Sequence, residues 1–316
     1  MYRDPIIEEC PGMSLITLFS APKPFTDPHI GLIQRNAIRS WTCLPDVQVV
    51  LLGREAGLEQ VAKEMGAIHI PEVEYNERGT PLISSMLEVT RKNTRSPILG
   101  IVNTDILFSS DLIEAARHIS GQKDKFVFLS RRCDLEITQP MDFSPGWEEK
   151  LKVLAEHKGS LHKPAGSDFF VFPRECYDAI PPFAVGRSGW DNWMIYKARM
   201  EKWPVIDCTP SVLVVHQTHD YSHLPGGQTH HTTPETNENI RLAGGQSAIR
   251  YTILDSTHEL IQGSLACPAF TRERLTRRIE LIMRNLFFFL PEDQIESIAR
   301  PKRWKKRLKK WFKINP

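Results

Sequence analysis

PILGIVNTDILF, residues 97–108, is the longest near-continuous apolar run in the amino-terminal half of the chain. Such a run suits a central strand buried on both faces, as in sheets covered by helices on both sides. Its apolar character breaks at Asn103, Thr104 and Asp105. The carboxyl ends of central strands are where open parallel sheets bind ligands, so a carboxylate there can hold a divalent metal. It can equally cap a helix or close a turn, since Ser109, Ser110 and Asp111 show that turns here are polar.

Working outward, SLITLFS (14–20) reads as a first buried strand, stopped by APKPFTDPH with its three prolines. From Gly31, the residues Ile33, Ala37, Ile38 and Trp41 recur at helical spacing, and this helix must end before Pro45. VQVVLLG (47–53) is a second strand, AGLEQVAKEM (56–65) a helix, AIHIPEV (67–73) a third strand and 82–92 a helix. The alternation predicts an α/β fold: a Rossmann-like, mixed and mostly parallel sheet flanked by helices. KFVFLSRR (125–132), DFFVFPRE (168–175) and PVIDCTPSVLVVHQ (204–217) supply further strands. After about residue 245 the pattern turns helical, most clearly at 272–289, where Leu275, Ile279, Ile282, Met283 and Leu286 form a stripe between a Thr271 cap and Pro291. The expected organisation is a sheet domain over 1–245, a C-terminal helical extension over 246–300 packed on it, and a basic amphipathic tail over 301–316.

Composition limits the function classes. Hydrophobic residues make up 41% and charged residues 25% of the 316, and no apolar run approaches the ~20 residues that cross a bilayer. The start, MYRDPIIEECPG, has acids and a proline where a secretory signal needs a basic start and an apolar stretch, and the six cysteines lie far apart. A cytoplasmic protein with reduced thiols is expected. Eight basic residues and no acid occupy the last sixteen positions, which takes the +2 of the whole chain to −6 for the rest. A body of that sign argues against a nucleic-acid surface on the main domain.

Two further segments can carry chemistry. AVGRSGWDNWMI (184–195) sets two glycines ahead of Asp191 and two tryptophans close by, a composition suited to a loop wrapped around a ligand, although Asp191 can also simply cap the next helix. Val214-Val215-His216-Gln217 runs as a strand into a polar segment with His219, His223, His230 and His231. Imidazole is a common metal ligand, yet a strand-end histidine often only forms a hydrogen bond, and the HExxH spacing of a zinc hydrolase is missing.

Taken in order, these elements resemble the GT-A family of nucleotide-sugar glycosyltransferases over roughly residues 14–220. Asn103-Thr104-Asp105 matches the family's acidic metal motif, Gly186-Arg187-Ser188-Gly189-Trp190-Asp191 its glycine loop and catalytic acid, and His216 its metal-binding histidine. FAVGRSGWDNW and VVHQTHDYSHLPGG are similar to bacterial nucleotide-diphospho-sugar transferases. There are two departures: Asn103 stands where the motif's first acid usually is, and Trp190 replaces the acid that often precedes the base.

The resemblance implies a divalent metal (Mn2+ or Mg2+) on Asp105 and His216, a nucleotide-diphosphate sugar as donor, and Asp191 as the base that gives inversion. It places the nucleotide over Ser20, Ala21, Lys23, Gly53, Glu55, Arg78, Gly79, Thr80, Asn103 and Thr104, with Arg78 able to pair with Glu55 instead. Ser167, Asp168, Gly189, Trp190 and Trp193 fall on the sugar side, one of the two tryptophans being core. The implied partners are a glycan or lipid-linked acceptor and no nucleic acid. In the tail, Trp304, Leu308, Trp311 and Phe312 make one apolar stripe on a cationic helix, the composition of a helix lying on an anionic membrane surface, here the inner face of the cytoplasmic membrane; the alternatives are a stripe packed on the protein body and a nucleic-acid contact, which the acidic body disfavours. Three other readings compete. A sugar nucleotidyltransferase would need a glycine-rich basic loop where Ala21-Pro22-Lys23-Pro24-Phe25 stands; the others are a metal hydrolase on the histidine cluster and a carbohydrate-binding or scaffold protein without catalysis.

Overall fold

The structure, a computed structural model, describes residues 13–219 and 233–286. Strands β1 (Ile16–Ser20), β2 (Val47–Leu52) and β3 (Ile68–Ile70) alternate with helices α1 (Pro28–Thr42) and α2 (Leu58–Met65), as the period of the apolar residues requires. Asp27 starts α1 by accepting from the amides of His29 (2.9 Å) and Ile30 (2.8 Å), with Pro28 in the first turn, where a missing N–H costs nothing. Helix α3 (Ile83–Asn93) then leads to β4 (Ile98–Val102), whose five residues are all buried.

The run 97–108 is not one strand. After β4 the chain breaks at residues 103–105 and resumes as β5 (Ile106–Phe108) in a different sheet. The polar residues that interrupt the apolar run are the corner between two sheets. The same happens at 204–217, which divides into β10 (Val205–Asp207) and β11 (Val214–Gln217) around a turn in which the Asp207 carboxylate accepts from the Thr209 amide.

Between them lie α4 (Asp111–Ser120), β6 (Val127–Leu129), β7 (Cys133–Leu135), α5 (Trp147–Lys158), β8 (Ser160–Leu161), β9 (Phe169–Pro173) and α6 (Trp190–Met200). Helix α7 (Pro234–Leu242) and the hairpin β12 (His258–Ile261) with β13 (Ser264–Ala266) follow. The main sheet runs β3-β2-β1-β4-β9-β6-β10-β12-β13. Its neighbours are parallel, except that β9 is antiparallel to both β4 and β6, and β13 to β12. A second sheet, β5-β11-β7-β8, holds β11 between antiparallel β5 and parallel β7. The fold is therefore the mixed, mostly parallel α/β sheet flanked by helices that the sequence predicts.

Apolar clusters cover both faces of the main sheet. One gathers Ala37 and Trp41 of α1 with Phe108 and Val214 of the second sheet; the other gathers Met86 of α3 with Trp193 and Met194 of α6. Gly100 in β4 permits the close fit, since a Cβ there would stand 2.6 Å from the Leu18 side chain. The helical pattern expected after residue 245 is interrupted by the β12–β13 hairpin, which extends the main sheet, and the first compact unit runs to Cys267. The second unit begins at Pro268 and contains α8 (Arg272–Leu286), where Thr271 Oγ1 accepts from the Arg274 amide at 3.2 Å, the expected cap. Residues 220–232, with His223, His230 and His231, and the tail 301–316 lie outside the described residues.

Candidate active site

A cavity of about 740 Å³ opens at the carboxyl ends of β1 and β4. Its chemistry sits at the ends of strands and helices and in the loops that join them. The end of β1 contributes Ser20, whose hydroxyl donates to the Val102 carbonyl at 2.6 Å and lies 3.3 Å from Thr104 Oγ1, so the β1 loop is tied to the sheet corner. Gln34 of α1 grips the backbone of Lys23 from both sides, accepting from its amide (2.6 Å) and donating to its carbonyl (2.9 Å). Desolvation by the cavity wall lowers the Lys23 pKa, with Arg187 acting in the same direction and the attraction of Asp105 opposing.

Opposite stands a cluster the sequence only half revealed. Asp105, His216 and His219 bring ligand atoms within 4.8 Å of one another. His219 Nε2 is 3.1 Å and His216 Nε2 3.6 Å from Asp105 Oδ2. Burial alone would raise the Asp105 carboxyl, but the bonds and charge of the two imidazoles overcome it and hold the group far below the usual carboxylate range. Burial pulls His216 down, and Asp105 more than restores it, raising its pKa.

Behind these residues lies a second polar layer. Asp134 Oδ1 meets His216 Nδ1 at 3.0 Å and Asp134 Oδ2 meets His162 Nδ1 at 2.6 Å. The Arg132 guanidinium sits 2.9 Å from Asp134 through Nε without the alignment of a hydrogen bond, and donates through Nη1 to both Asp168 oxygens at 2.8 Å. Asn103 also turns to Asp168, donating through Nδ2 at 3.0 Å. The residue in the first position of the acidic motif therefore braces Asp168.

The third wall is the loop entering α6. Gly189 has φ +109°, a conformation that L side chains rarely adopt, and a Cβ there would also stand 3.4 Å from Ile249. Asp191, in the first turn of α6, accepts from the Gly189 amide at 3.3 Å. Burial pushes its carboxyl up, aided by the Asp168 charge, against the backbone amides of Asn192, Gly189 and Ser167. The loop is latched from α7: Glu235 accepts from Arg187 Nε (2.6 Å), Thr80 Oγ1 (2.6 Å) and Asn76 Nδ2 (2.7 Å).

Of the residues singled out in the sequence, Ser20, Ala21, Lys23, Glu55, Gly79, Thr80, Asn103, Thr104, Asp105, Ser167, Asp168, Trp190, Asp191 and His216 line the cavity. Gly53, Arg78, Gly189 and Trp193 do not. Gly53 instead joins β2 to β3, its amide donating to the Ile70 carbonyl and its carbonyl 2.8 Å from His69 Nε2. Arg78 is exposed in a turn closed by Asn76 Oδ1, and among the described residues it forms no ion pair with Glu55. Trp193 is core, one turn past Gly189 and packed edgewise on Phe183 at 5.3 Å, whereas Trp190 packs on Phe170 and still borders the cavity. Sequence reasoning missed Arg132, Asp134, His162 and Glu235, and it passed over His219 because no spacing rule selects it. The one available signal for the first two was RRCD, three charges in four residues between β6 and the start of β7.

No family profile matches the chain, and no curated protein matches it. Among solved structures, it is similar to a mannosyltransferase from Pyrobaculum calidifontis in complex with GDP-Man and Mn2+, at 15% identity and TM-score 0.41, over 66% of this chain and 59% of that one. It is similar to glucosyl-3-phosphoglycerate synthase from Mycobacterium tuberculosis in complex with Mg2+ and uridine-diphosphate, at 14% identity and TM-score 0.45, over 82% and 88%. A third likeness is to S. aureus TarS 1-349 in complex with UDP-GlcNAc, at 13% identity and TM-score 0.49, over 87% and 73%.

Proposed function

We propose that the cavity is the active site of a glycosyltransferase that moves a sugar from a nucleoside-diphosphate donor to a hydroxyl acceptor, with inversion and with a divalent metal. The observation that carries this reading is that one cavity presents a carboxylate–imidazole cluster suited to a divalent ion and, on another wall, a carboxyl whose proton affinity is raised. Groups pushed in opposite directions mark a division of labour between charge stabilisation and proton transfer.

Asp105 and His216 would hold the metal, with His219 beside them; when bound it supplies Lewis-acid neutralisation of the departing diphosphate. Ser20, Ala21, Glu55, Gly79 and Thr80 shape the nucleotide side, and Lys23 and Arg187 add positive charge for phosphate. Ser167, Trp190 and the doubly braced Asp168 face the sugar. Asp191 takes the proton from the acceptor hydroxyl as its oxygen bonds the anomeric carbon. The bond from that carbon to the diphosphate oxygen breaks on the opposite side, and its electron pair leaves with the diphosphate. A direct attack of this kind inverts the anomeric centre. The test is release of nucleoside diphosphate from a panel of nucleotide sugars with manganese and candidate acceptors; release from none of them would overturn the assignment.

The acceptor in this reading is a glycan or a lipid-linked sugar reached at the inner, anionic face of the cytoplasmic membrane. No described helix is long and apolar enough to cross a membrane. What supports surface attachment is the second unit, which has fourteen basic residues against five acids from position 268 to the end. Within it α8 keeps Leu275, Ile279, Ile282 and Leu286 exposed (38–63%), while Arg274, Arg277 and Glu280 are buried. An apolar stripe in solvent within a cationic segment fits an anionic bilayer surface.

A further inference from the structure

We propose that Asp105, His216 and His219 form a self-sufficient site of one carboxylate and two imidazoles that binds a first-row transition ion before any nucleotide arrives and discriminates against Mg2+, with Asp134 as the residue that orients His216. This rests on the metal reading of the cavity but makes a claim about the chain alone.

Three observations lead to it. Asn103 is committed to Asp168 at 3.0 Å, so the residue matching the first position of the acidic motif is a neutral amide already engaged elsewhere. His219 takes up the vacancy from the other strand end, with only 9% of its side chain exposed and Nε2 3.1 Å from Asp105. Among the described residues, Asp105 Oδ1 is buried and has no hydrogen-bond partner, in a wall where the neighbouring carboxylates of Asp134 and Asp168 are both bonded. A buried orphan acceptor of that kind is the signature of a missing positive partner.

The donor set decides the ion. Mg2+ demands oxygen ligands and sheds water reluctantly, whereas imidazole favours the later first-row divalent ions in the order Mn2+ below Fe2+ below Co2+. Asp134 completes the design. With His216 Nδ1–H donated to Asp134 Oδ1, the lone pair of Nε2 is left facing Asp105, which is the carboxylate–histidine–metal arrangement. Strand pairing enforces it, because His216 of β11 and Asp134 of β7 are register partners in parallel strands and project to the same side.

The experiment titrates metals into the full chain without nucleotide, by calorimetry and by the visible absorption of Co2+. One Co2+ per chain is expected, bound more tightly than Mn2+, with Mg2+ failing to displace it at about a hundredfold excess. His219→Gln should weaken Co2+ by at least about tenfold, and Asp134→Asn by ~10–100-fold, the range typical of outer-shell partners, with Asp134→Glu recovering part of the loss. Circular dichroism of each variant separates lost binding from lost folding. Binding that needs a nucleoside diphosphate, Mg2+ competing on equal terms, or unchanged affinity in a folded His219→Gln chain would each overturn the proposal. A chain that binds Co2+ as described but turns over no nucleotide sugar would leave this site standing and sink the transferase assignment instead.

Discussion

The wall carrying Asp105 and the wall carrying Asp191 solve opposite problems with the same side chain. Around Asp105 the polar groups are cross-tied through Asp134, Arg132 and Asp168, and the bonds of Arg132 to Asp168 and of His216 to Asp134 join residues distant in sequence. Around Asp191 the bonds come from backbone amides, those of Gly189, Asn192 and Ser167, and desolvation outweighs them. A carboxyl held by two imidazole side chains stays ionised far into acid, and one that is merely desolvated holds its proton longer. The cavity thus contains one carboxyl held ionised, the permanent anion of the proposed metal site, and one of raised proton affinity, the switchable group of the proposed base.

Replacing the switchable group should produce the largest effect. Asp191→Asn is expected to lower turnover by ~10²–10⁴ with donor affinity nearly intact, as loss of a general base does. Steady-state rates and donor calorimetry check this, and retention of more than about a tenth of wild-type turnover would remove Asp191 from the role. In the wild type, turnover should fall as pH drops through the raised Asp191 pKa, and the variant should lack that limb. The stability sign is also fixed. A carboxyl raised on folding contributes stability that is present below its unfolded pKa of ~3.9 and lost as pH rises through the folded value, so the variant should melt at or above wild type at pH 7 and lose that advantage in acid.

The permanent anion gives a smaller and different signature. Asp105→Ala and His216→Ala should each weaken metal-dependent donor binding by about 10–100-fold, read by manganese calorimetry with donor present, with less change in affinity for the nucleoside itself. Unchanged manganese affinity in both would place the metal elsewhere. Here the linkage runs the other way: stability from the depressed Asp105 group is present above its unfolded pKa and lost as pH falls through the folded one.

Surface attachment comes next. Pelleting with anionic vesicles should fall several-fold when the chain ends at Arg300, and in high salt for the full chain; equal pelleting of both chains would exonerate the tail. Smallest is the Glu235 latch on the loop entering α6. Glu235→Gln removes a charge-assisted bond to Arg187 and is expected to cost about 1–3 kcal/mol of stability and a few-fold in donor KM, leaving kcat largely in place. A drop in kcat like that of Asp191→Asn would mean that the latch sets the base rather than the loop.

What the sequence disclosed follows from how local each signal is. The alternation from β1 to α3 was legible because a strand or a helix writes its period into adjacent residues, and the Thr271 cap of α8 for the same reason. Asp105, Asp191 and His216 stood out in the sequence because each sits near the end of such an element. The split of 97–108 was not legible, since a strand that changes sheets keeps its apolar composition on both sides of the corner. Strands as short as β7 and β8, three and two residues long, carry no period at all. Nor can spacing show that Asp134 reaches across 82 positions to His216, or Glu235 across 159 to Asn76. Which of Trp190 and Trp193 would be core was not legible, because a tryptophan beside a glycine loop looks the same whether the helix turns it inward or outward.

The small sheet sets a limit on how this protein can vary. Asp105 immediately precedes β5, His216 lies on β11 between β5 and β7, and Asp134 lies on β7 opposite it. Because side chains alternate between faces, a slip of one residue in any of these strands would turn its contribution away from the cavity while leaving the sheet itself paired. The composition of these strands can drift, since Val, Leu and Ile are interchangeable at little cost in such settings. Their length cannot. Along this part of the chain, insertions and deletions rather than substitutions are the changes that separate a binding-competent descendant from a folded but silent one.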